Sequence, residues 1–389
     1  MTKQFDVIII GGGVVGLTAA LALADYYEHI AVIDAHALCP EQLNDSMRVL
    51  ALNQTSKELL TKLNIWPALK PCEATPYRHM RVWDGLSGAN LKLDTQLQAQ
   101  TELGHIVQDN ALKRTLLTQA HAHDHIALID NTPIEKVSVL DEGCKLISDT
   151  QCWQAKLLLV ADGAESVVRS QLGVTIWRYD YHQKALVATV KTSKPHQHTA
   201  YQIFTPTGPL AFLPLASKNE CSIVWSTTPK HAETLKNLAA DEFNQALTQA
   251  FESHLGDVEL QSTRLTFPLI MRHTKQYAGH NWLLLGDAAH TIHPLAGLGL
   301  NLGLADVLSW LKCSERRAID KPFALQKALK AYQRDRKAHV LPLIMLLGSL
   351  KTLFLQSASP IVSLRGFGLS SVNHFDVFKK ILMKSADTL

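Results

Sequence analysis

The sequence predicts an α/β fold: a parallel sheet flanked by helices, an inserted α+β region and a helical C-terminus. Three observations predict it. An apolar run at residues 5–10 leads straight into Gly11-Gly12-Gly13-Val14-Val15-Gly16. Far downstream, a second apolar run ends in Gly286-Asp287 and is followed by Gly297-Leu298-Gly299. Between them lie alternating, aromatic-bearing runs of the kind that form half-buried strands.

Residues 5–10, rich in isoleucine and without polar alternation, read as a strand buried on both faces. Gly11-x-Gly13-x-x-Gly16 then turns the chain into a helix from Leu17 to Ala24. These glycines permit a tight turn, close approach of backbone to a pyrophosphate, and close helix–strand packing. The helix N-terminus presents N–H groups and a positive dipole end to phosphate. Ile30–Asp34 is the second strand, and Asp34 stands where an acid binds an adenosine ribose hydroxyl. An acid there repels a 2′-phosphate, so this site suits FAD or NAD, not NADP. Residues 157–169 give an apolar strand, an Asp162-Gly163 turn and a helix start.

The inserted region carries strand-like runs at Lys184–Lys191, Ala200–Phe204, Leu210–Pro214 and Glu220–Ser226, and residues 76–95 add a strand pair. Ala232–His254 reads as one helix beside that sheet. Asn281–Gly286 is a short strand whose terminal Asp287 can accept from a sugar hydroxyl or a ribityl chain. Pro294 breaks the chain, and Gly297 and Gly299 let backbone N–H groups approach a flat, electron-rich ring. A long helix starting near Asn301 aims its positive end at a flavin pyrimidine edge, where negative charge gathers on reduction. In isolation this is a glycine-rich turn before a packing helix; beside the first signature it reads as the second half of a flavin site.

These three segments resemble the fingerprints of the class A flavoprotein monooxygenases typified by para-hydroxybenzoate hydroxylase. Arg48–Asn53, Leu63–Trp66, Pro76–Trp83, Ile106–Asn110, Phe267–Tyr277 and Leu364–Leu369 with Lys380–Met383 narrow the resemblance to the ubiquinone-biosynthesis hydroxylases, the UbiH/UbiF/VisC family. His293–Asp306 matches that family's own signature. The chain is most similar to members acting on a methoxylated octaprenyl benzoquinol. Two positions depart from the family pattern: Leu298 stands where Gln is usual, and Ala305 where Arg is usual.

The resemblance implies a Rossmann-like FAD-binding domain, discontinuous at 1–75, 100–178 and 266–340. A substrate domain at 76–99 and 179–265 and a helical segment at 341–389 complete the expected division. It implies a cycle in which NAD(P)H reduces FAD, O₂ adds to the reduced flavin, and the C4a-hydroperoxide hydroxylates a polyprenyl phenol or benzoquinol. NAD(P)H has no second glycine fingerprint and is expected to bind transiently near Asp162-Gly163. Arg48 matches an arginine that approaches the FAD pyrophosphate, with a surface salt bridge as its plainer reading. Gln108 matches a ribityl contact. No residue is marked as a general base.

At 389 residues, 47% hydrophobic and 19% charged, the chain has room for a large core and two interleaved domains. Its six cysteines show no CxxC or metal spacing and read as reduced thiols of a cytoplasmic protein. A strand beginning at residue 5 leaves no room for a signal peptide. The net charge of +3 is uneven: from Lys312 onward there are 14 Lys/Arg against 5 Asp/Glu. Residues 340–355 add an apolar run, too short and interrupted to span a bilayer but suited to an anionic membrane surface or to plain core packing. A peripheral position on the inner membrane, or contact with a ubiquinone-biosynthesis complex, is therefore expected alongside the cytoplasmic one. No nucleic-acid motif is present.

His121, His123 and His125, and likewise His196 and His198, read as surface residues; His290 and His293 read as supports for the flavin loop. No metal site is expected. Two alternatives stay open: a flavin reductase of the geranylgeranyl-reductase type, and a non-catalytic prenyl carrier like the Rab escort proteins. The intact second signature argues against a carrier, which needs no flavin pocket.

Overall fold

The computed structural model describes residues 2–43, 47–97, 101–149, 151–293, 297–315 and 318–387. Val7, Ile8 and Ile9 lose all contact with solvent because their strand, Thr2–Ile10, is central in a sheet covered on both faces. It runs parallel to Cys152–Val160 on one side and Ile30–Ile33 on the other. Ile126–Ile129 and Trp282–Leu284 extend the two flanks, also parallel. A meander of Lys136–Leu140 and Gly143–Ile147 lies antiparallel against Cys152–Val160. Ile10, Val160 and Leu284 are register partners across three adjacent strands. All three glycine-bearing turns therefore leave the sheet side by side at its carboxyl edge, where open α/β sheets bind ligands.

The second sheet has nine strands among the described residues. Its order is His290–Thr291, Leu265–Thr274, Ile176–Thr192, Glu220–Thr227, Gly208–Pro214, Thr199–Thr205, His79–Asp84 and Asn90–Asp94, with Val258–Leu260 beside Ile176–Thr192. The four runs read as strands are strands here, and the pair within 76–95 joins through His79–Asp84, parallel to Thr199–Thr205. Ile176–Thr192 and Leu265–Thr274 form one long antiparallel ribbon, interrupted by a bulge between Asp180 and Gln183. This ribbon crosses the divisions expected at 178 and 266. Val49–Leu52, Gly104–Gln108 and Ala74–Tyr77 make a small third sheet.

The single helix expected over Ala232–His254 is two helices, Pro229–Asn237 and Ala240–Ala250. Leu238 and Ala239 are extended, and Arg264 explains the break by donating to the carbonyls of Leu235 and Leu238 at 2.8 and 2.6 Å. Glu242 accepts from Ala239 N at 3.2 Å, which starts the second helix. Both helices bury Leu235, Phe243 and Leu247 on the sheet.

The C-terminal region is helical from Pro322, in the helices Pro322–Leu355, Ser359–His374 and Asp376–Asp387. The expected boundary at 340/341 thus falls inside one helix. Arg365 fastens this region to the second sheet: it grips both oxygens of Asp84 at 2.9 and 3.0 Å and caps the carbonyls of Leu353, Phe354 and Gln356.

Candidate functional site

Gly11 adopts φ +104°, and a Cβ there would lie 2.3 Å from Ala161 O. Only glycine lets this turn rest on the Asp162 segment. A Cβ on Gly16 would meet Gly11 O at 1.9 Å, whereas Gly13 faces open space. Gly13 begins the helix Val14–Leu23 without any side-chain cap, so first-turn N–H groups stay available to a phosphate. Asp34 accepts from Gly12 N at 2.7 Å and His36 N at 2.8 Å. A carboxylate has about four acceptor positions, so it shapes the loop and retains capacity for a hydroxyl.

Val15 is where the two signatures touch. Its Cγ2 would lie 3.2 Å from a Cβ on Gly286 and 2.7 Å from one on Gly303. The helix Gly299–Cys313 packs beside Val14–Leu23 because position 303 has no side chain. Asp306 of that helix is fully buried and accepts from Gly286 N at 2.8 Å, His290 Nε2 at 2.9 Å and Arg336 Nε at 2.6 Å. Burial alone would raise its pKa, but His290 and Arg336 turn the shift downward. Asp287 reaches solvent, yet surrounding protein desolvates it and raises its carboxyl above the usual range despite His290, Arg48 and Arg272. A reachable but enclosed carboxyl marks the floor of a recess.

Arg48 and Gln108 lie together at one end of the third sheet, where Val49 pairs with Gln108 and Asp109 N donates to Arg48 O at 3.1 Å. The Arg48 side chain also meets Asp109 at 3.4 Å. Gly297 takes φ +61°, and a Cβ there would crowd Ala51 at 2.8 Å; around Gly299 no atom of the described residues would lie within 4 Å of one. Asn301 spans this junction: its amide donates to Ala51 O at 2.8 Å, and its oxygen accepts from Asn53 N at 3.0 Å and Ser56 Oγ at 2.8 Å. The Asn301 side chain is thus committed to holding the glycine loop. Pro294 lies outside the described residues.

Asp162 closes the recess on its other side. Its Oδ1 is buried with no hydrogen-bond partner among the described residues, and burial raises its pKa. Arg169 joins the Asp162 and Asp287 turns, donating to Ala164 O and Ala288 O at 3.0 Å each. Arg272 pairs with Glu165 nearby. The orphaned acceptor, two uncapped helix starts and two open glycines fit a dinucleotide carrying a flavin.

Three of the histidines named from the sequence, His121, His125 and His196, meet backbone carbonyls. His121 and His125 reach Leu38 O and Ala24 O. His196 is not a surface residue: it is 1% exposed, and its Nε2 lies 3.1 and 3.0 Å from Leu215 O and Ser217 O. The polar loop folds back over it, a contact that local composition does not reveal. His293 is also buried, with Nε2 3.3 Å from Gln183 Oε1 and its ring edge-on to Tyr181. Burial and Lys351 lower its pKa to about 4. Lys351 itself donates to Tyr181 O, at the bulge, at 3.0 Å.

Residues 4–344 match the FAD binding domain family. Over nearly the whole chain the sequence is 31% identical to the ubiquinone biosynthesis monooxygenase COQ6 of Danio rerio, covering 99% of this chain and 90% of that protein. It is likewise 31% identical to the 3-demethoxyubiquinol 3-hydroxylase of Escherichia coli, covering 99% of each. This chain belongs to the ubiquinone-biosynthesis hydroxylase family. The fold agrees. p-Nitrophenol 4-monooxygenase PnpA of Pseudomonas putida superposes with a TM-score of 0.81 at 17% identity, covering 100% of this chain and 99% of that one. Klebsiella pneumoniae HpxO, solved with FAD and uric acid, gives 0.73 at 16% identity, covering 99% of this chain and 96% of that one. The hydroxylase is an FAD-dependent monooxygenase with the fold of the class A enzymes, and NAD(P)H and O₂ are consistent with that class. Neither the prenyl reductase nor the prenyl carrier is favoured by these relationships.

Sequence reasoning missed three contributors. Arg336 neutralises Asp306 from a helix that carries no motif, and Lys351 of the same helix holds the bulge through the Tyr181 carbonyl. Val15 occupies a variable position of the glycine fingerprint, where only packing shows its importance.

Proposed function

We propose that the hydroxylase oxidises the ring of a polyprenyl phenol or benzoquinol in ubiquinone biosynthesis. The observation that carries this reading is full-length identity with relatives of that name, joined to a recess in which both glycine signatures meet at Val15. FAD, when bound, supplies electron storage and oxygen activation. Gly11, Gly13 and Gly16 would admit its pyrophosphate to the helix start, with Arg48 adding positive charge and Asp34 accepting from the ribose. Gln108, Asp162 and Asp287 would accept or donate along the sugar and ribityl chain. Gly297 and Gly299 would bring backbone N–H groups to the ring, and Asn301 would fix that loop. The positive end of the helix Gly299–Cys313 favours charge on the ring edge. Leu298, packed with Phe204 and Leu302, keeps water from the loop's inner side.

The domain division rests on the same reading, with the ribbon of Ile176–Thr192 and Leu265–Thr274 as the connection between cofactor and substrate parts. A cytoplasmic position with peripheral contact to anionic lipid is supported by the basic C-terminal region. Its helices expose Phe323, Met345, Leu346, Leu364 and Phe367 at 51–85% of their surface. The helix Pro322–Leu355 is long and apolar enough to cross a membrane by composition. It also buries Leu325, Leu329, Tyr332, Arg336, Val340, Leu343 and Leu347 on the protein, which suits lying on a surface.

Purified holoenzyme, NAD(P)H and a prenylated benzoquinol in an oxygen electrode test the activity. O₂ uptake with a product heavier by one oxygen is expected. Flavin reduction that never yields hydroxylated ring would reject the proposal.

A further inference from the structure

Both faces of the second sheet carry apolar side chains, but they are covered differently. One face carries Leu186, Ala188, Phe212, Ile223 and Trp225 and is sealed by Phe243, Leu247 and Phe251. The opposite face carries a row of direct register neighbours across six strands: Val82, Gln202, Ala211, Val224, Val187 and Leu265. At its inner end, Val82 joins one apolar cluster with Phe204, Leu298 of the glycine loop and Val340, Leu343, Leu347 and Phe354 of the helix Pro322–Leu355. Along the row Ala211, Val224 and Val187 are half-buried, and at the outer end Leu265 is 42% exposed. The adjoining register pair, Ala185 and Phe267, ends the same way, with Phe267 47% exposed.

We infer that this row is the path of the substrate's polyprenyl tail, leading from the ring position beside the glycine loop to solvent at Leu265 and Phe267. The inference rests on the substrate class proposed above. Three features support it. The row carries no charged residue and is continuous with Leu298. Strands lie about 4.8 Å apart, so six strands give a path of about 24 Å, the scale of an extended isoprenoid rather than of a ring alone. Among the described residues the ribbon is the sheet edge at Leu265 and Phe267, because His290–Thr291 pairs with Arg272 and His273. Leu265 and Phe267 are exposed at that edge, which gives a tail longer than the path its exit to solvent. Exposed large apolar side chains that continue a buried row are expected to have an occupant.

The test is the holoenzyme of the double substitution Leu265→Ser and Phe267→Ser, checked for retained flavin absorbance. Two substrates are compared that share one benzoquinol ring, one with a polyprenyl tail and one with a methyl group in its place. The tailed substrate should show a tenfold or greater rise in KM with kcat little changed, and the tail-less substrate should be unaffected. Equal effects on both substrates, or on neither, would overturn the inference. So would a double variant that changes only the oligomeric state, which would make the face a contact between copies of this chain. A prenyl phenol with a diazirine at its tail end separates this from the substrate reading, because crosslinking needs no turnover. Label on Leu265–Thr274 or Ile176–Thr192 is expected, and label confined to other elements would reject the path even if the ring is hydroxylated.

Discussion

Replacing Gly303 with alanine places one methyl group between the two cofactor signatures. The new Cβ would lie 2.7 Å from Val15 Cγ2 and 3.2 Å from Gly286 Cα. Neither neighbour yields cheaply: Val15 is β-branched with a restricted χ1 in its helix, and Gly286 is held by its bond to Asp306. The helix Gly299–Cys313 must therefore move away from Val14–Leu23. Overpacking of this kind costs about 1–3 kcal/mol. Expressed wholly in cofactor affinity, that is about 5- to 150-fold weaker FAD binding. Titrating FAD into apoprotein while following flavin fluorescence gives the Kd directly. Val15→Ala removes the closer contact, so the double variant should recover most of the loss, and the cycle isolates the coupling. A Gly303→Ala protein with unchanged Kd and Tm would refute the claim that these two helices are packed through this glycine. Failure of Val15→Ala to restore binding would show that Gly286, not Val15, sets the limit.

Acid should destabilise the enzyme through His105, His273 and His293, each pushed by burial to about 4. Their folded pKa lies below the ordinary value of about 6.5, so the unfolded chain binds more protons between those limits. Stability is full above pH 6.5 and falls as pH drops toward 4, by roughly 3 kcal/mol per histidine over the whole window; Tm measured against pH should show a shallower slope in His293→Gln. Arg336→Met strands the buried Asp306 carboxylate and should cost about 3–5 kcal/mol, visible in urea unfolding and partly reversed by adding Asp306→Asn. Arg365→Met strands Asp84 in the same way, and limited proteolysis should then cut beyond residue 355 in a protein that still binds FAD. Vesicles containing anionic lipid should carry the protein in flotation and neutral ones should not; Leu364→Ser with Phe367→Ser should weaken that binding, and equal binding to both vesicles would reject the electrostatic part of the argument.

The cofactor half of the molecule is legible in the sequence because its demands are local. A glycine at φ +104° against Ala161, or a strand ending in Asp287, leaves a mark within a few residues. What converges on those marks from elsewhere leaves none. Arg336 looks like any basic residue of a surface helix, although it lies at 2.6 Å from a fully buried aspartate. His196 reads as a loop histidine because nothing in its neighbours announces the carbonyls of Leu215 and Ser217. The helix expected across Ala232–His254 breaks where Arg264, a residue outside it, takes the carbonyls of Leu235 and Leu238. Domain limits are blurred for a related reason. The ribbon of Ile176–Thr192 and Leu265–Thr274 is continuous hydrogen-bonded structure, so no change of composition marks where one part ends.

The two departures from the family pattern gain a physical account from their surroundings. Leu298 is 8% exposed and packs with Phe204, Leu302, Val340 and Leu343. A glutamine there would bring an amide needing several hydrogen-bond partners into an apolar cluster, and an unpaired buried polar group costs about 1–3 kcal/mol. In this chain the position is suited to leucine because the C-terminal helix supplies an apolar lid to it. That choice also makes the inner end of the sheet row apolar, so ring site and tail path form one surface rather than two. Asp306 needs no charge from position 305, since Arg336 neutralises it and His290 hydrogen-bonds it from other elements. Restoring Gln at 298 should therefore lower Tm without changing cofactor affinity, whereas restoring Arg at 305 should leave the Asp306 cluster intact. If Leu298→Gln instead left Tm unchanged and tightened FAD binding, the apolar-lid account of this position would be wrong.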